Sequence, residues 1–268
     1  MNIPKTAIEL IPRNKEYLIN KIQEIQDCNY DIVNLPHLRD RKWWEVCFMA
    51  PEEIASIENI LPEGKELVLH LRSQDSHTNS QAITRINTLL SKKIKEILLI
   101  TWDTYVNKNE VVTTHAILES IWIQEKVSIC ADLYHQDWWR FHKKIPFLKK
   151  NNTANIYTQP VFCNTIFEKI EKNKVQLWIP QWKTNIYIWI TWICNSKTRD
   201  YWKNTNKVPE KYLPKWDTNE KIKENSIAQT IDILKHIKKE KYSSYIMLMQ
   251  SKVKDLLSIQ NKVENNSY

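Results

Sequence analysis

Eight short, almost unbroken apolar runs are spread along the chain, with longer amphipathic stretches between most of them. The runs cover residues 7–11, 31–35, 67–71, 97–101, 127–131, 154–158, 186–190 and 245–249. A strand with one wet face alternates apolar and polar residues, whereas a strand covered on both faces has no reason to. Covered strands that take turns with helices imply a parallel sheet. Between the runs, Leu18, Ile22 and Ile25 share one helical face, as do Ile227, Ile231, Leu234 and Ile237. Further helices are expected over residues 51–60, 80–93, 111–121, 141–150, 164–172 and 251–263.

Eight strand–helix units in 268 residues fit one α/β fold, a single (β/α)8 TIM barrel, whose usual length is about 250 residues. A doubly wound sheet would share the local pattern, but no Gly-rich first turn is present to suggest one. No internal repeat or low-complexity linker divides the chain, so one domain over 1–268 is expected, with no fused regulatory domain. Long connections fall at 173–185 and 194–218, and the second is expected to wrap the carboxyl-end face of the barrel.

The composition carries one anomaly. The chain has a single glycine, Gly64, and twelve tryptophans, where average usage of about 7% would give roughly 19 glycines. Glycine-rich phosphate loops, collagen-like repeats and flexible Gly linkers are thereby excluded. Glycine is also the usual residue wherever a backbone takes positive φ or must approach a ligand closely.

A net charge of +8 raises nucleic acid, a membrane surface or a phosphorylated cofactor as partners. The basic residues are scattered and interleaved with acids, which favours a small polyanion over nucleic acid. No apolar run reaches 18 residues and the first fifteen residues contain no signal-like core. Cys28, Cys47, Cys130, Cys163 and Cys194 form no C-x-x-C pair and are expected to be reduced and packed. A cytoplasmic protein with no membrane partner follows. The seven histidines lack metal-ligand spacing, so no metal is expected.

Barrel enzymes place their chemistry at the carboxyl ends of the strands. There the sequence sets Glu9, Asn34, His70, Arg72, Thr101, Asp103, Asp132, His135, Thr158 and Gln159. Several segments, in order, carry a resemblance: IELIPR (8–13), LVLHLR (67–72), ILLITWDT (97–104), CADLYHQDWWRFHKK (130–144), ANIYTQPVF (154–162) and the stretch 187–209. Over residues 5–250 the chain resembles the methylenetetrahydrofolate reductases, FAD-dependent (β/α)8 enzymes of one-carbon metabolism.

The resemblance implies flavin-dependent reduction of 5,10-methylenetetrahydrofolate to 5-methyltetrahydrofolate with NAD(P)H, feeding methionine biosynthesis. Glu9 then matches the general acid; otherwise it is a buried acid paired with a cation across the barrel. Asp103 matches an acid that serves catalysis, flavin and folate together, or else a loop or N-cap acid. His70, Thr101, Trp102, Asp103, Ala131, His135 and Lys144 fall at flavin-binding positions, with Thr113 and Thr114 near the adenosine. Gln159, Asp103 and Thr198 fall at folate-binding positions. Strand-end hydrogen bonding is the competing role for Gln159 and His70, and a solvated helix face the competing role for 140–144.

Partners implied are folate and NAD(P)H, with self-association left open. The alternative is a barrel that binds folate without flavin or without catalysis. Trp102 and Trp189 stand where the resembled pattern has glycine, and Trp122, Trp138 and Trp139 occupy positions suited to it. One explanation is that UGA codons meaning glycine have been written as tryptophan; the other is a genuinely Trp-rich chain.

Overall fold

The computed structural model describes residues 3–38, 48–100, 126–131, 155–176, 185–214, 218–248 and 253–265, except 58, 77 and 207, together with 117 and 134. Eight parallel strands close into a barrel in sequence order. They are β1 (Thr6–Glu9), β2 (Ile32–Leu35), β3 (Glu66–Arg72), β4 (Glu96–Ile100), β5 (Val127–Ala131), β6 (Asn155–Val161), β7 (Asn185–Ile190) and β8 (Ser243–Met247). Closure comes from β1 pairing with β8, with Ala7 opposite Tyr245 and Glu9 opposite Met247. Every apolar run predicted a strand, and every one of those strands is present.

Among the described residues the helices are α1 (Lys15–Glu24), α2 (Pro51–Ala55), α3 (Asn79–Leu90), α4 (Thr165–Gln176), α5 (Ser196–Asp200), α6 (Asn219–Lys239) and α7 (Val253–Asn265). Local chemistry starts them where they start. Asn14 accepts a hydrogen bond from the Tyr17 amide at 2.8 Å, and Thr78 accepts one from the Gln81 amide at 3.2 Å, each satisfying a first-turn N–H. Helix α2 is shorter than the expected 51–60, because Ser56 caps it and Asn59 turns the chain with φ of 52°. The helices expected at 111–121 and 141–150 lie outside the described residues, apart from Ile117. The 194–218 connection folds into α5, a π turn at 201–205 and a 3₁₀ turn at 210–212.

Side chains alternate between two cores, as the period of two requires. Ile8, Val33, Leu69, Leu99, Ile129 and Ile188 point outward under the helices, alongside Leu18, Ile22 and Ile86. Ala7, Ile32, Val68, Leu98, Tyr157, Tyr187 and Tyr245 fill the barrel axis. Tyr157 and Tyr187 stack there with centroids 4.6 Å apart, and Tyr245 meets Tyr157 edge-on at 5.4 Å. This aromatic layer forms a solid floor, so any site must lie above or below it.

Below the floor, at the amino ends of the strands, Glu96 is 2% exposed. It accepts hydrogen bonds from the Ser128 hydroxyl and the Asn155 amide, tying β4 to β5 and β6. Burial pushes its carboxyl up to about 8, so it is held as the neutral acid at pH 7. Outside it, Lys5 and Lys95 reach Glu66 at 2.7 and 3.4 Å.

The three tryptophans among the described residues give no support to glycine standing in their place on backbone grounds. Positive φ occurs at Asn59, Lys241 and Gly64, not at Trp189, Trp192 or Trp202. Trp192 and Trp202 are each 1% exposed and belong to the outer core. Trp102, Trp122, Trp138 and Trp139 lie outside the described residues.

Candidate functional site at the carboxyl end of the barrel

Two residues beyond each member of the aromatic floor, the same alternation brings a second ring toward the axis. On β1, β2 and β3 the step runs from Ala7 to Glu9, from Ile32 to Asn34 and from Val68 to His70. On β7 and β8 it runs from Tyr187 to Trp189 and from Tyr245 to Met247. Glu9 is a direct register partner of Asn34 on one side and of Met247 on the other. Its polar members on β1, β2 and β3 are buried, with Glu9 4% exposed, Asn34 0% and His70 6%, while Trp189 and Met247 are half-buried.

Burial sets the charge state of this ring. The Glu9 carboxyl is pushed up to about 8 by desolvation, the sole cause among the described residues. No Lys or Arg across the barrel compensates it there, which removes the ion-pair alternative for Glu9 within the described structure. Burial, reinforced by His37, lowers His70 to about 3, so His70 is a neutral imidazole at physiological pH. With the acid and the imidazole both neutral, the ring can take part in proton transfer without a net charge buried beforehand.

The ring and the floor beneath it also carry hydrogen-bonding capacity that the described protein leaves unused. His70 Nε2, Trp189 Nε1 and the Tyr245 hydroxyl have no partner. The Asn34 amide makes no hydrogen bond of normal geometry, although it lies close enough to the Tyr157 hydroxyl to favour its ionised form. Buried polar atoms are normally paired. A cluster of orphans at one end of a barrel is what a polar ligand would satisfy.

Strand β6 contributes through an irregularity. Its pairing with β7 slips between Tyr157 and Pro160, as befits a strand whose Pro160 has no N–H to donate. The Thr158 hydroxyl bridges the slip, accepting from the Trp189 amide at 3.0 Å and donating to the Gln159 carbonyl at 2.9 Å. Gln159, 8% exposed, is thereby fixed on a bulge at the strand end. Bulges commonly re-aim side chains beside functional sites.

At the rim, Arg72 ends β3 at 4% exposure and lies 3.5 Å from Asp75, which also meets His37 Nδ1 at 3.3 Å. Glu52 on α2 holds Arg85 on α3 through two hydrogen bonds, one of 2.9 Å. The first set of contacts ties the β2 and β3 ends to each other, and the second ties α2 to α3.

Of the residues expected at the site, Glu9, His70 and Gln159 are buried at the carboxyl end, and Ala131 closes β5 in register with Thr158. Thr198 is set in the cap of α5: its amide and hydroxyl both donate to Asn195 Oδ1, at 2.9 and 3.1 Å. Thr101, Trp102, Asp103, His135 and Lys144 lie outside the described residues, as do Thr113 and Thr114. Asn34 had been no more than a polar strand end in the sequence. Its place in the ring follows from its spacing of two from Ile32, a signal that needs the barrel interior to be known first. Among the described residues no cluster of His, Cys, Asp or Glu could hold a metal ion, and no helix is long and apolar enough to cross a membrane.

A single (β/α)8 barrel with a buried, partly unsatisfied polar ring at its carboxyl end is the class these features define. No protein-family model and no curated protein matches the chain. Solved structures do. A Clostridium thermocellum protein that binds two copies of 5-methyl-5,6,7,8-tetrahydrofolic acid matches with a TM-score of 0.62 at 12% identity, over 98% of this chain and 96% of that one. The coenzyme F420-dependent tetrahydromethanopterin reductase of Methanopyrus kandleri matches with a TM-score of 0.58 at 10% identity, over the whole of both chains. Yersinia pestis DHPS, solved with a pterine-sulfa conjugate, gives 0.51 at 9% identity, over 98% and 92%. At such identities the likeness establishes the fold, since one barrel architecture hosts many chemistries.

Proposed function

We propose that the chain is a folate-binding barrel that reduces 5,10-methylenetetrahydrofolate to 5-methyltetrahydrofolate, with FAD as cofactor and NAD(P)H as electron source. The observation that carries this reading is Glu9, a buried carboxyl held neutral up to about pH 8 opposite the unpartnered amide of Asn34 on β2, with the unpartnered Nε2 of His70 on β3. Three structural neighbours whose ligands or substrates are pterins support it. The role would place the protein in cytoplasmic one-carbon and methionine metabolism.

Reduction of the methylene bridge requires its five-membered ring to open, which protonation of a folate nitrogen promotes. Glu9, protonated at neutral pH, donates that proton, and the carboxylate it becomes is returned to the acid by its own high affinity for a proton. Gln159 meets the pterin edge with an amide that donates and accepts at once. Neutral His70 offers one N–H and one lone pair to a ring cofactor without adding charge. A bound flavin would supply the hydride that reaches the methylene carbon. Within the described residues, His70, Asn34 and the backbone end of β5 at Ala131 are the contacts proposed for its ring end. Thr101, Trp102, Asp103, His135 and Lys144 are the proposed remainder of the flavin contacts, and Asp103 and Thr198 further folate contacts.

The test is the purified protein itself. A flavin absorbance that bleaches with NADH or NADPH, together with formation of 5-methyltetrahydrofolate, is the expected result. Folate turnover by a colourless protein would replace this reading with the second, a folate barrel that works without flavin. Folate binding with no turnover would make it a non-catalytic binder. Trp189 favours that second reading: its indole stands in the interior ring, 5.4 Å from Tyr245 and 5.9 Å from Trp202, in space that a ring cofactor would otherwise share.

A further inference from the structure

Aromatic rings form an unbroken path from the barrel axis to the protein's edge. In the floor, Tyr157 meets Tyr245 with centroids 5.4 Å apart. Tyr245 in turn lies 5.4 Å from Trp189 in the ring of side chains above it. From there the path leaves the barrel: Trp189 meets Trp202 at 5.9 Å, and Trp202 meets Tyr201 at 5.3 Å. Every step is within the range of aromatic rings in direct contact.

An irregular backbone sets the last two rings. Tyr201 and Trp202 open the π turn at 201–205, a form that is rare and often found at functional sites. The Val208 amide donates to the Trp202 carbonyl at 3.0 Å and the Asn206 amide to the Tyr201 carbonyl at 3.3 Å, closing the turn. The two neighbours have different surroundings. Trp202 is 1% exposed and packs 5.5 Å from Phe162, whereas Tyr201 is half-buried at the edge of the core.

Indole and phenol are among the side chains that give up one electron most readily, and contact between rings lets the resulting hole move. Where the hole comes to rest is decided by the proton, because an oxidised phenol is stable only once its O–H proton has left. The Tyr157 and Tyr245 hydroxyls are buried without a partner, so neither has a group to receive that proton. Trp202 Nε1 is sealed in the same way, and its oxidised indole would remain a cation in an apolar core, which burial disfavours. The Tyr201 hydroxyl is not sealed and can pass its proton to water. The downhill direction along the path is therefore outward.

We infer that Trp189, Trp202 and Tyr201 form a relay that carries one-electron oxidising equivalents from the interior ring to the protein surface. An oxygen-derived radical that takes an electron from the half-buried Trp189 is reduced to its anion. An electron from Trp202 restores Trp189, and one from Tyr201 restores Trp202. Tyr201 loses its phenolic proton to water and remains as a neutral radical. A soluble thiol then gives it a hydrogen atom, which regenerates the phenol and leaves a thiyl radical. The relay draws oxidation away from the polar ring of Glu9, Asn34 and His70, whatever ligand that ring holds, and so does not depend on the folate reading.

The experiment generates azide radicals by pulse radiolysis in a solution of the full chain and follows the tryptophanyl and tyrosyl absorbance bands. A nitroso spin trap with peptide mass spectrometry locates the final radical. Tyr17 reports direct attack from solvent, since it is also half-buried but is flanked by Arg13 and Lys21 rather than by rings. The expected result is conversion of tryptophanyl to tyrosyl radical at a rate independent of protein concentration, with an excess of trap adduct on Tyr201 over Tyr17. Tyr201→Phe, which keeps the ring and its packing, loses that part of the tyrosyl signal. Trp202→Phe and Trp189→Phe each lose the excess on Tyr201 while labelling of Tyr17 stays the same. The half-buried position of Trp189 keeps the test open should the Trp202 variant fail to fold. Equal labelling of Tyr201 and Tyr17 in the wild type, or an excess on Tyr201 that survives in either tryptophan variant, would overturn the relay.

Discussion

Glu9 and Asn34 stand opposite one another across the β1–β2 ladder, both turned into the barrel and both within 4% of complete burial. The acid has no cation to ionise against among the described residues, and the amide has no hydrogen-bond partner of normal geometry. In the absence of ligand this pairing is costly, because desolvated polar groups are left unpaired. A ligand that took a proton from one and a hydrogen bond from the other would recover that cost.

Glu9→Gln is expected to lower kcat by about 10²- to 10⁴-fold, the usual worth of a positioned general acid, with folate affinity nearly retained. In the wild type the reactive form is the protonated acid, so the rate should hold below pH 8 and fall as pH rises through the value of about 8 that burial imposes. A pH–rate profile of wild type and variant checks both. A variant with wild-type kcat would remove Glu9 from the chemistry.

His70 is lowered to about 3, and its imidazole should therefore keep one chemical shift from pH 5 to 8 while exposed histidines titrate. The measurement is the ring-proton NMR shift of His70, assigned by comparison with His70→Gln. A midpoint near 6.5 would mean that water reaches the ring freely and that the site is more open than the packing indicates.

The barrel was legible because periodicity reports burial: short, almost unbroken apolar runs that take turns with amphipathic stretches read as strands covered on both faces, and eight such units fit one barrel. Helix ends were less so, since the stop of α2 depends on Ser56 and Asn59 rather than on any apolar pattern. Glu9 and His70 could be named from the chain because they interrupt apolar strands. Asn34 acquired its meaning from register alone, through Glu9 beside it. The slip at Pro160 that sets Gln159 lies beyond the strand expected at 154–158, because the structure continues β6 to Val161 through a proline that has no N–H to donate.

Glu96 predicts a pH-dependent stability of definite sign. Its native value is about 8 against an ordinary 4.5, so between these limits the folded state holds a proton that the unfolded chain has released. Stability therefore falls as pH rises from 4.5 to 8, with a limiting slope of about 1.4 kcal/mol per pH unit for one proton, and is level above. Glu9 acts in the same direction. Glu96→Gln keeps an acceptor for Asn155 and offers an N–H to Ser128, so its Tm between pH 6 and 8.5 should vary less than that of the wild type. An identical pH dependence would show that Glu96 is already ionised in the native state.

Trp192 separates a genuine tryptophan from a glycine written as one. Its side chain is 1% exposed and packed in the outer core, on backbone that no positive φ reserves for glycine. If the indole belongs there, Trp192→Ala leaves a large cavity and costs about 3–5 kcal/mol, and Trp192→Gly costs more through added freedom of the unfolded chain. Urea denaturation of the purified variants measures both. A Trp192→Gly protein equal to or more stable than the wild type would show that the surrounding core is built for glycine. It would also revive the reading in which the excess of tryptophan arises at translation of the gene rather than in the fold.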